Sequence, residues 1–231
     1  MSSSKAMLGV LAFLVLLFGS ANLARADVVT IAANDTGWYG SNGFHDAANK
    51  NYIVGHCASC GGLDYHNYLT FNLSGVSGTV TGATIQIFNP VTAGAPGTYT
   101  LFDVSTPAGI LMASNSGAIG IAIFNDLGSG SAYGSINVST ADSGTVITIN
   151  LNAAAVAALN STGGGTFAVG GFFTSPSAPS DSFVFGGSGT DQRNRLILAV
   201  DGATVPEPMT ILLLGTGLAG LAGTVRRRRK K

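Results

Sequence analysis

Asn67-Tyr68-Leu69-Thr70-Phe71-Asn72-Leu73-Ser74-Gly75 alternates apolar Leu69, Phe71 and Leu73 with polar Thr70 and Asn72, then stops at a serine-glycine turn. Strict alternation sends successive side chains to opposite faces of a strand, so one face meets a core and the other meets water or a second layer. The rhythm recurs outward in both directions. Ile85 and Ile87, Tyr99 and Leu101, Ile136 and Val138, the Ile147, Ile149 and Leu151 set, Phe183 and Phe185, and Leu196, Leu198 and Val200 all repeat it. Turn clusters separate these runs at Ser74–Gly78, Asn89-Pro90, Ala93–Gly97, Leu127–Ser131 and Asp142–Gly144. Short strands punctuated this way predict an all-β chain, an antiparallel β-sandwich of jelly-roll type; an up-and-down barrel would show the same pattern.

One stretch breaks the period. Asn152 to Asn160 is rich in alanine, with Asn152 placed to cap a helix start and Gly163-Gly164-Gly165 beyond its end. It predicts one short helix packing through Val156 and Leu159. The Ser175–Ser180 segment, with Pro176 and Pro179, reads as a loop between strands, because Phe183, Phe185 and the Leu196–Val200 run still need a core.

The two ends of the chain are different in kind. Lys5, an apolar run from Ala6 to Phe18 and the small-residue pattern Ala24-Arg25-Ala26 have the layout of a secretory signal peptide, cleaved after Ala26. At the other end, Val205-Pro206-Glu207-Pro208 precedes an apolar run from Met209 to Val225 and the basic stop Arg226, Arg227, Arg228, Arg229, Lys230, Lys231. An apolar run ending in consecutive cations predicts a transmembrane helix retained on its basic side, at the short end of spanning length. The domains expected are therefore 1–26 (signal), 27–203 (exported β-sandwich) and 204–231 (tail).

The formal net charge of zero hides this division. Between Asp27 and Val205 the only cations are Lys50, Arg193 and Arg195, against ten aspartates, a balance of −7. Such an acidic segment offers no basic patch for nucleic acid.

The chemistry-bearing residues cluster early. His45, His56 and His66 and both cysteines, Cys57 and Cys60, fall between positions 45 and 66. In an exported chain two thiols at this spacing predict a short-range disulfide, while zinc held by the thiolates and imidazoles is the competing reading. No metal site is assigned. Calcium on loop aspartates such as Asp35, Asp46 and Asp126 is compatible with the fold class, but no ligand spacing marks a site. No Gly-x-Ser-x-Gly occurs, and Glu207 is the only glutamate. No catalytic residue is expected; a hydrolase would need a cleft with two or more converging aspartates. Trp38, Tyr39, Phe44, Tyr52, Tyr65 and Tyr68 are the rings a sugar site on loops could use, or else core residues.

The tail, with Pro206, Glu207 and Pro208 followed by the apolar run and Arg226–Arg229, resembles the sorting domain of PEP-CTERM proteins. That resemblance implies export by a bacterium that makes extracellular polysaccharide. It also implies recognition at the inner membrane by an exosortase that cleaves near Pro-Glu-Pro. Those residues would be substrate features, and the helix a transient address. Asn67–Gly75, Ala83–Pro90 and Ile123–Gly130 resemble, more loosely, β-sandwich ectodomains found ahead of such tails, some of which look like carbohydrate-binding modules. The expected protein is a non-enzymatic component of the cell envelope or extracellular matrix. Its expected partners are the secretion machinery, exosortase and possible extracellular polysaccharide. A carbohydrate-binding module of a biofilm and a secreted hydrolase are the alternatives.

Overall fold

The computed structural model describes residues 27–94, 96–174 and 180–202. The expected signal peptide, most of the Ser175–Ser180 loop and the whole sorting tail with its apolar run lie outside the described residues. Among those described, no helix is long and apolar enough to cross a membrane.

The period-two runs become strands, and the chain is mostly β. Strands β1 (Asp27–Ala32), β12 (Arg195–Asp201), β5 (Thr79–Asn89) and β9 (Thr145–Asn150) form a four-stranded antiparallel sheet in that order. The second sheet links β6 (Val91–Ala93), β11 (Ser182–Gly186), β3 (Val54–Cys57), β4 (Leu63–Asn72), β10 (Thr166–Thr174), β7 (Gly97–Asp103) and β8 (Ala132–Val138), with β2 (Asp35–Gly40) also paired to β4. One core lies between the sheets. Ile85, Ile87, Ile147, Ile149, Leu196 and Leu198 from the first meet Leu69, Phe71, Leu101, Phe167 and Val169 from the second. Register aligns them: Ile85 pairs with Leu196 on one side and Ile149 on the other. Full burial of each such aliphatic side chain contributes about 1.5–3 kcal/mol before entropy is charged.

The expectation of one short helix needs correction. The Asn152 prediction becomes α3 (Ala153–Ser161), whose Ala155 amide donates to the Asn152 side chain at 3.1 Å. Ala155 and Leu159 are buried and Val156 packs on the core. Two further α-helices, α1 (Ala108–Leu111) and α2 (Gly117–Leu127), and a 3-10 turn at Thr140–Asp142 are also present. The α2 sequence holds two glycines and three isoleucines, which weigh against a helix by propensity. It forms because Gly120, Ile123 and Leu127, spaced three and four apart, are buried together on the outer face of the large sheet.

Phe183 and Phe185 also depart from the simple alternation. Phe185 takes a positive φ of 62° and joins Val184 in the main core, while Phe183 packs with Ile53, Cys57 and Tyr65 in a separate cluster. The Phe185 amide is held by Asn89 Oδ1 at 3.0 Å, which supports a backbone conformation that non-glycine residues rarely adopt.

The large sheet divides at β4. Tyr65 pairs with Gly40 of β2 and with Gly55 of β3, and Leu69 pairs with Thr36 of β2 and Val169 of β10. A strand has two edges, so β3 and β10 share one edge of β4, with β2 on the other. β3 runs along Leu63–Tyr65 and β10 along Asn67–Asn72. The ladder changes hands at His66.

Candidate functional site

A cleft of about 410 Å³ opens at this division, lined by Gly55, His56, Asp64, Tyr65, His66, Phe124, Phe172, Phe173, Thr174 and Ser182. Its size falls in the range of small-molecule sites, and its mixture of aromatic walls with a few polar groups is the composition such sites share. Each wall follows from the topology. β3 and β11 supply His56 and Ser182, β4 supplies Asp64 and His66, the end of β10 supplies Phe172 and Thr174, and α2 lends Phe124. Gly55 sits at the parting with φ 110°, a conformation an L side chain resists, and an added Cβ would press on Ser182 and Phe173.

The polar residues form a cross-strand row. Ser182 pairs with His56, and His56 pairs with Asp64. His56 Nδ1 donates to Asp64 Oδ1 at 2.7 Å. The Asp64 side chain is 63% exposed, whereas Ser182 is 3% exposed and its hydroxyl has no hydrogen-bond partner among the described residues.

His66 is structural within this cleft. Its Nδ1–H donates to the Phe124 carbonyl at 2.6 Å, its ring stacks on Phe124 at 3.9 Å between centroids, and it meets Phe172 in a T-shaped contact at 5.2 Å between centroids. Burial pushes its pKa below the usual value, only partly offset by the Phe124 carbonyl and Asp64, so the ring is neutral at pH 7.

Immediately after His56, Cys57 and Cys60 are joined as a disulfide. The turn they close is latched to β11. Ser59 donates its amide and its hydroxyl to the two oxygens of Asp181, at 2.9 and 2.8 Å, and these bonds hold the Asp181 carboxyl below the usual range. The Tyr65 hydroxyl donates to the Cys60 carbonyl at 3.2 Å on the other side. The disulfide turn therefore ties together the strands that carry Ser182, His56 and Asp64.

The remaining candidates are dispersed. His45 is buried beneath α1 and α2, donating from Nδ1 to the Trp38 carbonyl at 2.7 Å, facing the Tyr68 hydroxyl through Nε2 at 3.3 Å and stacking on Tyr39 at 4.4 Å. Its pKa is lowered chiefly by burial. Asp35 pairs with Lys50 at 2.6 Å, and Asp46 accepts the Ala48 amide at 2.9 Å. Asp126 receives the amides and hydroxyls of Ser105 and Thr106. Burial alone would raise the Asp126 pKa, but these bonds outweigh it and the net shift is downward. Among the described residues no three His, Cys, Asp or Glu side chains converge as a metal site. The cleft holds one aspartate, Asp64.

The rings singled out from sequence serve mainly as packing. Tyr39, Tyr52 and Tyr68 are fully buried and Tyr65 nearly so, while Trp38 packs edge-on to Tyr65 at 5.1 Å. Phe44 alone of the six is exposed, at 49%. Of the six only Tyr65 also lines the cleft, where it is joined by Phe173 and by Phe124 and Phe172, the last two half-buried. Phe172-Phe173 did carry a signal: adjacent aromatics on a strand point to opposite faces, so one of them must leave the core.

The comparisons with known proteins bear on the tail. A family model of the PEP-CTERM protein-sorting motif matches residues 204–229, which contain Pro206, Glu207, Pro208 and Arg226–Arg229. This motif implies export with membrane-associated sorting and exosortase-dependent processing. No curated protein matches the chain.

Proposed function

We propose that the protein is an exported, non-enzymatic component of the cell envelope or extracellular matrix, structural or associated with exopolysaccharide, and released from the membrane by processing of its tail. The observation that carries this reading is the sorting motif at 204–229. In this reading residues 1–26 are a signal peptide cleaved between Ala26 and Asp27, Met209–Val225 is a transmembrane helix that Arg226–Arg229 retain on the cytoplasmic side, and the two-sheet frame is a sandwich of jelly-roll type. Replacing Pro206, Glu207 and Pro208 by alanine in the native host is expected to abolish tail removal, so that the protein accumulates in the inner membrane at full tail length. Unchanged processing of that variant would refute the assignment.

Carbohydrate binding is the second reading, favoured by the cleft at the division of the large sheet. An aromatic wall beside His56 and Asp64 is suited to a sugar, whose ring face is apolar and whose rim is hydroxyl.

A further inference from the structure

We propose that the cleft binds an uncharged sugar residue of a polysaccharide, with Phe172 as its stacking platform and Asp64 and His56 as its hydroxyl partners, and that it discriminates against uronates and other anionic sugars. The inference rests on the carbohydrate reading above and adds the ligand's chemical class.

The hydrogen-bonding capacity left open in the cleft decides that class. With Nδ1 of His56 donating to Asp64, the neutral tautomer of the ring is the one that offers Nε2 as an acceptor. The second carboxylate oxygen of Asp64, on an exposed side chain, is also an acceptor. The Ser182 hydroxyl, which has no partner among the described residues, is buried and adds no accessible group to this set. The set is thus rich in acceptors. A ligand that completes it must bring donors, and a ring of hydroxyls does so at several positions at once. A carboxylate or sulfate brings only acceptors and would face the Asp64 charge.

No lysine or arginine compensates. None of the lining residues is Lys or Arg. Lys50 is paired with Asp35, and Arg193 is paired with Asp191 at 2.7 Å and stacked over the Phe88 ring. Arg195 lies on β12, in the other sheet. The excess of aspartates over cations from Asp27 to Val205 adds a long-range repulsion for any polyanion. The half-buried Phe124 and Phe172 supply the apolar surface that a neutral pyranose face requires.

The test is calorimetric titration of the full chain in a sugar-free detergent at pH 7.5 and 0.15 M salt, with neutral hexose oligosaccharides in one arm and oligouronates in the other. The neutral arm is expected to bind, with affinity lowered about tenfold or more in Phe172→Ala and in Asp64→Ala, and the uronate arm to bind at least tenfold more weakly. Both side chains are partly or largely exposed, so the variants should keep the wild-type circular dichroism; His56→Ala provides a third substitution if either does not. Uronates binding as well as or better than neutral sugars, with the same sensitivity to these substitutions, would overturn the neutral-sugar assignment and leave carbohydrate binding standing. Neutral-sugar affinity unchanged in all three variants would remove the cleft as the site. No binding in either arm would overturn both the inference and the carbohydrate reading.

Discussion

Gly170 of β10 lies against the backbone of Leu127 at the end of helix α2, and its replacement by alanine tests how the cleft wall is held. A Cβ built on Gly170 would lie 2.7 Å from Leu127 Cα and 2.9 Å from its carbonyl carbon, and closer still to the carbonyl oxygen. These are backbone atoms, which cannot rotate aside. Carbon atoms in comfortable contact stand about 3.5–4.0 Å apart, so the end of α2 must retreat by about 1 Å. The retreat loosens Ile123 and Leu127 against Tyr39 and Tyr68, the small cluster that holds the helix down. Overpacking of this kind costs about 1–3 kcal/mol. Alanine in a strand recovers about 0.5–1 kcal/mol of the glycine's backbone entropy, so that at mid-range values the net loss is a little over about 1 kcal/mol. With a urea m-value of about 2 kcal/mol/M, the midpoint of unfolding is expected to fall by a little over about 0.5 M. Gly109→Ala in α1 is the control, because nothing lies within 4 Å of its added Cβ and helix propensity favours the change. Its midpoint should stay level or rise. A Gly170→Ala protein with an undiminished midpoint, or a Gly109→Ala protein that loses as much, would refute the packing described for α2.

Two further outcomes follow from the groups around the cleft. Reduction of Cys57–Cys60 frees the turn that Ser59 latches to Asp181, and for so short a loop the chain-entropy account gives a loss of about 2 kcal/mol. The reduced protein and Cys57→Ser/Cys60→Ser should both unfold at lower urea than the oxidised form, and equal midpoints would count against a stabilising cross-link. His45 and His66 both have pKa values lowered by burial from an ordinary 6.5, so the unfolded chain binds protons more readily than the native one. Their contribution to stability is fully present above about pH 6.5 and is lost as the pH falls toward and through the lowered native values. Urea midpoints measured from pH 7.5 to 5.5 should decline, and a flat or rising profile would contradict the neutral, buried state of these rings. Asp126, Asp181 and Asp191, whose native pKa values are depressed, add a separate loss at lower pH, below the ordinary carboxylate range.

Several elements were legible because their signals are local. The alternation around Leu69 and Phe71, around Ile85 and Ile87, and from Ile147 to Ile149 marks strands whose partners each supply the same pattern. Asn152 announced α3 because a cap is a contact between a side chain and the backbone three residues away. Other elements were hidden. β10 contains Gly170 and Gly171, which blur its period, and α2 is built from residues that alone do not favour a helix; each is stabilised by what packs on it. Phe185 looked like the neighbour-but-one of Phe183 on a shared face, but the Asn89 bond and the left-handed backbone turn it into the core.

The sequence by itself determined the mostly β character, the acidic balance of the segment between Asp27 and Val205, and the sorting address that begins near Val205, because each is carried by composition or by residues close together in the chain. The tertiary structure decided which of the early histidines, cysteines and aromatics form a site. His56 and Asp64 are eight residues apart and were in view, but Phe124, Phe172 and Ser182 join them from far along the chain. They meet because β3 and β10 share one edge of β4, a matter of register set by the packing of the whole sheet, which no local pattern encodes.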